Sequence, residues 1–147
     1  LVSFKDNFKK RNKRLLAEEK CVEYFKENNI TYTRYGFDCL FDIKPQDFLK
    51  IPEKLRNTPD YMVISSAAYL VEAKGCHDIL RLKLDDMKSY NFWETLIHVY
   101  VFIYSSMERK HKIISYEKLC EIAYTCEISY YEDNGKAYYK IPWELIR

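Results

Sequence analysis

Thr58-Pro59-Asp60-Tyr61-Met62-Val63-Ile64-Ser65, then Ser66-Ala67-Ala68, then Tyr69-Leu70-Val71-Glu72-Ala73-Lys74-Gly75, is the stretch that sets the architecture. Two short runs rich in β-branched and aromatic residues, 60–65 and 69–74, are joined by three small residues, which predicts a β-hairpin. Side chains alternate between the faces of a strand, so Glu72 and Lys74 project together while Val71 and Ala73 face the other way. The hairpin returns Asp60 beside that pair. Gly75 ends the second strand and permits another backbone to approach closely.

Working outward, residues 7–28 read as a long helix, with Asp6 as its N-cap and Asn28-Asn29 as a left-handed stop. Its apolar face runs through Phe8, Leu15, Val22 and Phe25, with Cys21 beside them. Two β-rich segments follow, 30–36 and 37–44. Residues 45–58 then hold two prolines among mixed apolar residues, which predicts one short helix plus irregular chain. Downstream of the hairpin, Asp78 is placed to cap a helix over 79–92 with Leu80, Leu84 and Met87 inward. The almost continuous apolar run 97–104 predicts a strand covered on both sides. Residues 116–124 predict a second amphipathic helix, and Asn134-Gly135 signals a type I′ hairpin ahead of Ile141-Pro142-Trp143. With no internal repeat and no linker, the expectation is one α/β domain over 1–147, a mixed β-sheet flanked by helices.

The composition supports a folded domain. The 147 residues are 48% hydrophobic and 31% charged with three Gly and four Pro, which argues against disorder and collagen-like repeats. The net charge of +2 does not announce a polyanion partner, but it is unevenly spread. Residues 1–14 carry Lys5, Lys9, Lys10, Arg11, Lys13 and Arg14 against Asp6, a +5 arm or helix start on a body of −3. Such an arm suits phosphate contact or merely a solvated helix face. Cys21, Cys39, Cys76, Cys120 and Cys126 form no zinc-type spacing and follow no secretory leader, so they read as buried thiols in a cytoplasmic protein. The longest apolar run is too short to span a bilayer.

Chemistry concentrates at the hairpin's end. Two carboxylates and an ammonium converge there, and acidic oxygens are what hard cations such as Mg²⁺ require. A metal held there polarises a phosphoryl oxygen and lowers the pKa of a bound water. Lys74 can orient or deprotonate that water, or neutralise charge developing on the phosphorus centre. The bland alternative is an edge-strand Glu/Lys pair of little consequence. The apolar neighbours Leu70 and Val71, the Pro-Asp opening the partner strand and the following Gly75 weigh against it.

Pro59-Asp60, eleven intervening residues, then Glu72-Ala73-Lys74 resembles the signature of the PD-(D/E)xK nuclease superfamily. The resemblance covers roughly residues 15–125, and its closest likeness is to small phage or archaeal junction-resolving and restriction-like endonucleases. It implies a restriction-endonuclease-like core and Mg²⁺ or Mn²⁺ bound by Asp60, Glu72 and the Ala73 carbonyl. It also implies a catalytic Lys74 and a supporting acid on the first helix. Glu18, with Cys21, Val22 and Phe25 at i+3, i+4 and i+7, is on the buried face, and Glu19 is the runner-up. The implied activity is hydrolysis of DNA phosphodiester bonds, on a branched substrate and with a homodimer in the finer version. An inactive nucleic-acid-binding or virion-associated module and an RNA-directed endonuclease remain the alternatives.

Further contacts with nucleic acid are expected from Lys9, Lys10, Arg11, Lys13 and Arg14 in the arm. Lys83, Lys88 and Tyr90 are candidates for the phosphate backbone, against an ordinary helix exterior. The Tyr130-Tyr131 and Tyr138-Tyr139 pairs suit base stacking, or more simply strand packing. His77 and His98 read as structural.

Overall fold

The structure is a computed structural model. It describes residues 4–36 and 44–147, and for residues 4–11, Pro45 and Phe48 the backbone element alone. In chain order the elements are α1 (Phe4–Glu27), β1 (Tyr32–Arg34), α2 (Pro45–Phe48), α3 (Glu53–Arg56), β2 (Tyr61–Ile64), β3 (Ala68–Cys76), β4 (Ile79–Lys83) and α4 (Leu84–Glu94). They continue with β5 (Val99–Ser105), β6 (Lys110–Ser115), α5 (Tyr116–Ala123), β7 (Ile128–Tyr130), β8 (Ala137–Pro142) and a closing 3-10 turn, Trp143–Leu145.

The hairpin forms as expected, with Tyr61 opposite Val71 and Ile64 opposite Ala68. It sits inside a five-stranded sheet ordered β1-β2-β3-β5-β6. β3 and β5 run parallel, Leu70 opposite Val99 through Cys76 opposite Ser105, while the other pairs are antiparallel. The protein is therefore α/β with a mixed central sheet flanked by helices. β5 is covered on both faces as its apolar run requires: Phe102 packs with α1, and Val99, Val101 and Ile103 pack into the core under α4 and α5. No helix among the described residues is long and apolar enough to cross a membrane.

α1 begins ahead of Asp6, which lies inside its first turn and does not cap it. It stops where Asn29 takes a left-handed φ of 52°. Its buried row is Ala17, Cys21 and Phe25, one residue per turn, and Leu15 points to solvent instead of inward. Gly75 explains the choice. A Cβ there would lie 2.6 Å from the Lys13 carbonyl oxygen, so the helix backbone rests directly on the strand and its small side chains must face the sheet. Gly75→Ala is accordingly expected to destabilise the protein by about 2 kcal/mol. The readout is a lower urea midpoint at unchanged slope; an unmoved midpoint would show that the helix is free to lift.

Three further expectations are corrected. Residues 79–83 are not the start of a helix but strand β4, because Leu80 and Leu82 alternate with Arg81 and Lys83 at period two. β4 pairs with β8, and β8 with β7, in a second sheet of three strands. The helix begins only at Leu84. Asn134-Gly135 is not a two-residue turn either. Pairing ends at Tyr130 opposite Ala137, and only Gly135 of the two has positive φ, 67°. The Gly135 amide donates to the Tyr131 carbonyl oxygen within that longer loop. Residues 45–58 contain two single-turn helices where one was expected. The strand expected over 37–44 lies, but for Lys44, outside the described residues, as does Cys39. Cys21, Cys76, Cys120 and Cys126 are free thiols.

Candidate active site

Asp60 stands at the mouth of the β2–β3 hairpin, just past its last paired residue, Tyr61. There the Ala73 amide has no ladder partner on β2, and it donates to Asp60 Oδ2 at 2.9 Å instead. The Asp60 carbonyl oxygen accepts from the amides of Tyr35 and Gly36. Backbone groups from both sides thus fix the residue, which is 5% exposed. Alternation along β3 places Glu72 and Lys74 on the face toward α4, while Val71 and Ala73 pack against α1.

Lys74 Nζ is 3.2 Å from Glu72 Oε1 and 2.8 Å from Asp86 Oδ2, and it lies over the Tyr90 ring. Burial works against its charge, but Tyr90, Asp86 and Glu72 outweigh that and hold its pKa well above the ordinary lysine value. Burial alone would also raise Asp86, yet Lys74 brings it below the usual carboxylate range. Glu72 behaves differently. Burial pushes it up despite Lys74 and a hydrogen bond from Tyr90, with Asp86 adding repulsion. The lysine charge is shared between Asp86, the shorter contact, and Glu72, and it does not fully offset the burial of Glu72.

Asp60 is pushed well above its ordinary value by burial and then by Glu72 and Glu18, with the Ala73 amide and Arg34 only partly offsetting them. The same three carboxylates add to the burial that raises the Cys21 thiol on the floor beneath. Asp60 thus feels both Glu72 and Glu18 through space. Glu18 is the inward helix acid, 12% exposed, whereas Glu19 faces solvent. It meets Arg34, whose Nη2 lies 3.4 Å from Glu18 Oε1 and 3.6 Å from Asp60 Oδ1. Arg34 also donates to the Tyr61 hydroxyl at 3.1 Å. With that guanidinium between Glu18 and Asp60, no three His, Cys, Asp or Glu side chains among the described residues form a metal-binding group.

Of the arm, Lys13 and Arg14 are exposed, and Arg14 Nε reaches Glu18 Oε1 at 3.4 Å. The side chains of Lys9, Lys10 and Arg11 lie outside the described residues. Lys83 is exposed at the N-cap of α4, on strand β4 and not within a helix. Lys88 is exposed and pairs with Asp85 at 3.8 Å. Tyr90 is buried beneath Lys74 and cannot touch a phosphate backbone, because Lys74 needs its ring. His77 meets Ser106 and His98 meets Glu94, both structural contacts.

Sequence reasoning missed Arg34 and Asp86. Asp86 and Tyr90 stand four residues apart on α4, a one-face spacing that was readable once the helix start was placed at Leu84. Arg34 had no local signal, since only the pairing of β1 with β2 sets it opposite Tyr61. No protein-family model matches the chain, and no curated protein matches it.

Proposed function

We propose that the protein is a metal-dependent endonuclease hydrolysing DNA phosphodiester bonds, on a core of the restriction-endonuclease type that its Pro59-Asp60 and Glu72-Ala73-Lys74 residues resemble. One observation carries this reading: the buried Asp60 carboxyl and the part-buried Glu72 carboxyl repel one another, and Lys74, divided between Glu72 at 3.2 Å and Asp86 at 2.8 Å, does not fully offset them. Such a pair fits a hard divalent cation, and Asp60, Glu72 and the Ala73 carbonyl are the groups that would hold Mg²⁺ or Mn²⁺. When bound, that ion supplies Lewis acidity to a phosphoryl oxygen and acidifies a water.

The chain's own residues do the rest. The Ala73 amide and the Arg34 guanidinium orient Asp60. Lys74, kept protonated, brings positive charge toward the transferring phosphoryl group and does not serve as a base. Of the roles open to it at first, neutralisation is the one its surroundings favour. Glu18 acts through Arg34, as a positioning residue for Asp60.

Digestion of labelled duplex DNA, a four-way junction and RNA in Mg²⁺ or Mn²⁺, each beside an EDTA control, tests the reading. Cleavage of DNA that stops in chelator is expected. Preference for the junction by a dimeric species would support the finer reading of branched substrate and paired copies. Cleavage indifferent to EDTA overturns the metal role, and preferred cutting of RNA moves the substrate. No cleavage in Mn²⁺, with no change in melting on adding the ion, leaves the inactive nucleic-acid-binding module.

A further inference from the structure

The outward face of the second sheet carries a cationic surface that the site does not use. β4 and β8 pair with Arg81 opposite Lys140 and Lys83 opposite Tyr138, so these four side chains share one face. The Arg81 guanidinium lies 5.4 Å from the Tyr138 ring centroid and 5.9 Å from that of Tyr131, and Lys83 Nζ lies 5.6 Å from Tyr131. The two rings pack on each other at 4.4 Å. Tyr138 is 7% exposed, so it is a bed for the cation and not a platform for a base.

The acids nearby are already engaged. Asp85 is shared between Lys136 at 3.4 Å and Lys88 at 3.8 Å, and Glu127 lies 4.0 Å from Lys140. Arg81 and Lys83 make no ion pair among the described residues. A ring holds a cation in place without occupying all of its N–H donors, so both keep donors for a further partner. They stand two residues apart on one strand, about 7 Å along it. The face is continuous with the site, since Lys83 is the N-cap of α4, the helix bearing Asp86, and both Lys83 and Lys136 act on the Asp86 carboxylate.

We propose that Arg81 and Lys83, steadied on Tyr131 and Tyr138, hold the phosphodiester backbone of the substrate strand as it leaves the Asp60–Glu72 site. The occupant follows from charge complementarity: two preorganised cations in line, with no ion pair among the described residues, suit a polyanion with regularly repeated charge. The identity of that polymer rests on the endonuclease reading above, but the surface is tested by binding alone.

The experiment is fluorescence anisotropy of the full chain with labelled 20-mers in EDTA across a salt series. The 20-mers are single-stranded DNA, duplex DNA and RNA, which distinguishes the sources of the phosphodiester. Arg81→Gln with Lys83→Gln is expected to weaken single-strand binding roughly 20-fold near 0.1 M salt and to lower the log–log salt slope by about 1.4. Lys83→Gln alone, which leaves Arg81 on its rings, should lower it by about 0.7. Lys110→Gln with Lys118→Gln, exposed cations on β6 and α5, is the matched control and should change little. Equal effects from the control pair, an unchanged slope in both site variants, or no binding by the parent overturns the proposal. A reduced slope in a protein that cleaves nothing supports the surface while removing the endonuclease, so the two failures are distinct.

Discussion

Metal-free Asp60→Asn protein is expected to melt above the parent while losing cleavage by a factor of a thousand or more. Both halves have one cause. In the parent, Asp60 is buried beside Glu72 and Glu18, and its carboxyl holds its proton far more tightly than in the unfolded chain. A carboxyl whose folded pKa is raised contributes stability that is present at low pH and lost as pH rises through the folded value. At neutral pH the parent therefore carries repulsion that an amide removes, while Asn can still accept from the Ala73 amide. The midpoint should rise by about 3 °C for each kcal/mol relieved. The pH profile is the sharper readout. As pH falls toward the ordinary carboxylate range the metal-free parent should gain stability, and Asp60→Asn should flatten that rise. Asp86, whose pKa is lowered, contributes the opposite slope only in more acidic solution. Mn²⁺ should raise the midpoint of the parent and leave the variant's unmoved. A variant less stable than the parent, or one still stabilised by Mn²⁺, would contradict the assignment of Asp60.

Lys74→Met is expected to cost about 3 kcal/mol of stability, because it strands Asp86 and deepens the deficit at Glu72. For a chain of this size the midpoint falls by about 10 °C. Adding Asp86→Leu should recover most of that loss, since an apolar pair can replace a buried ion pair at little or no net cost. Cleavage should behave otherwise. Lys74→Met lowers it by a factor of about 10²–10³, and the second substitution restores none of it. Recovery of activity together with stability would make Lys74 a scaffold and remove its chemical role.

The hairpin and its consequences were legible because they rest on local pattern. Alternation in residues 69–74 fixes which face Glu72 and Lys74 share, and the short link fixes where Asp60 returns. The burial of Glu18 followed from helical spacing alone. What the pattern concealed depended on contacts distant in sequence. Leu15 is apolar and correctly spaced, yet faces water because the Gly75–Lys13 approach fixes the helix row elsewhere. Residues 79–83 alternate like a strand, but the apparent cap at Asp78 favoured a helix until β8 was available as partner. Arg34 came to the site only through strand pairing. The sharing of Lys74 between Asp86 and Glu72, with the shorter contact to Asp86, required distances that no spacing supplies.

The parallel pairing of β3 with β5 also orders events during synthesis. Every charged group of the site, from Glu18 to Asp86, lies in the chain ahead of Val99, where β5 begins. A hairpin closes locally, whereas a parallel partner must wait for the whole intervening crossover. A chain emerging from the ribosome thus possesses its complete set of reactive groups before the strand that makes them rigid. The strand that completes this part of the sheet follows the charged residues in the chain and is itself apolar.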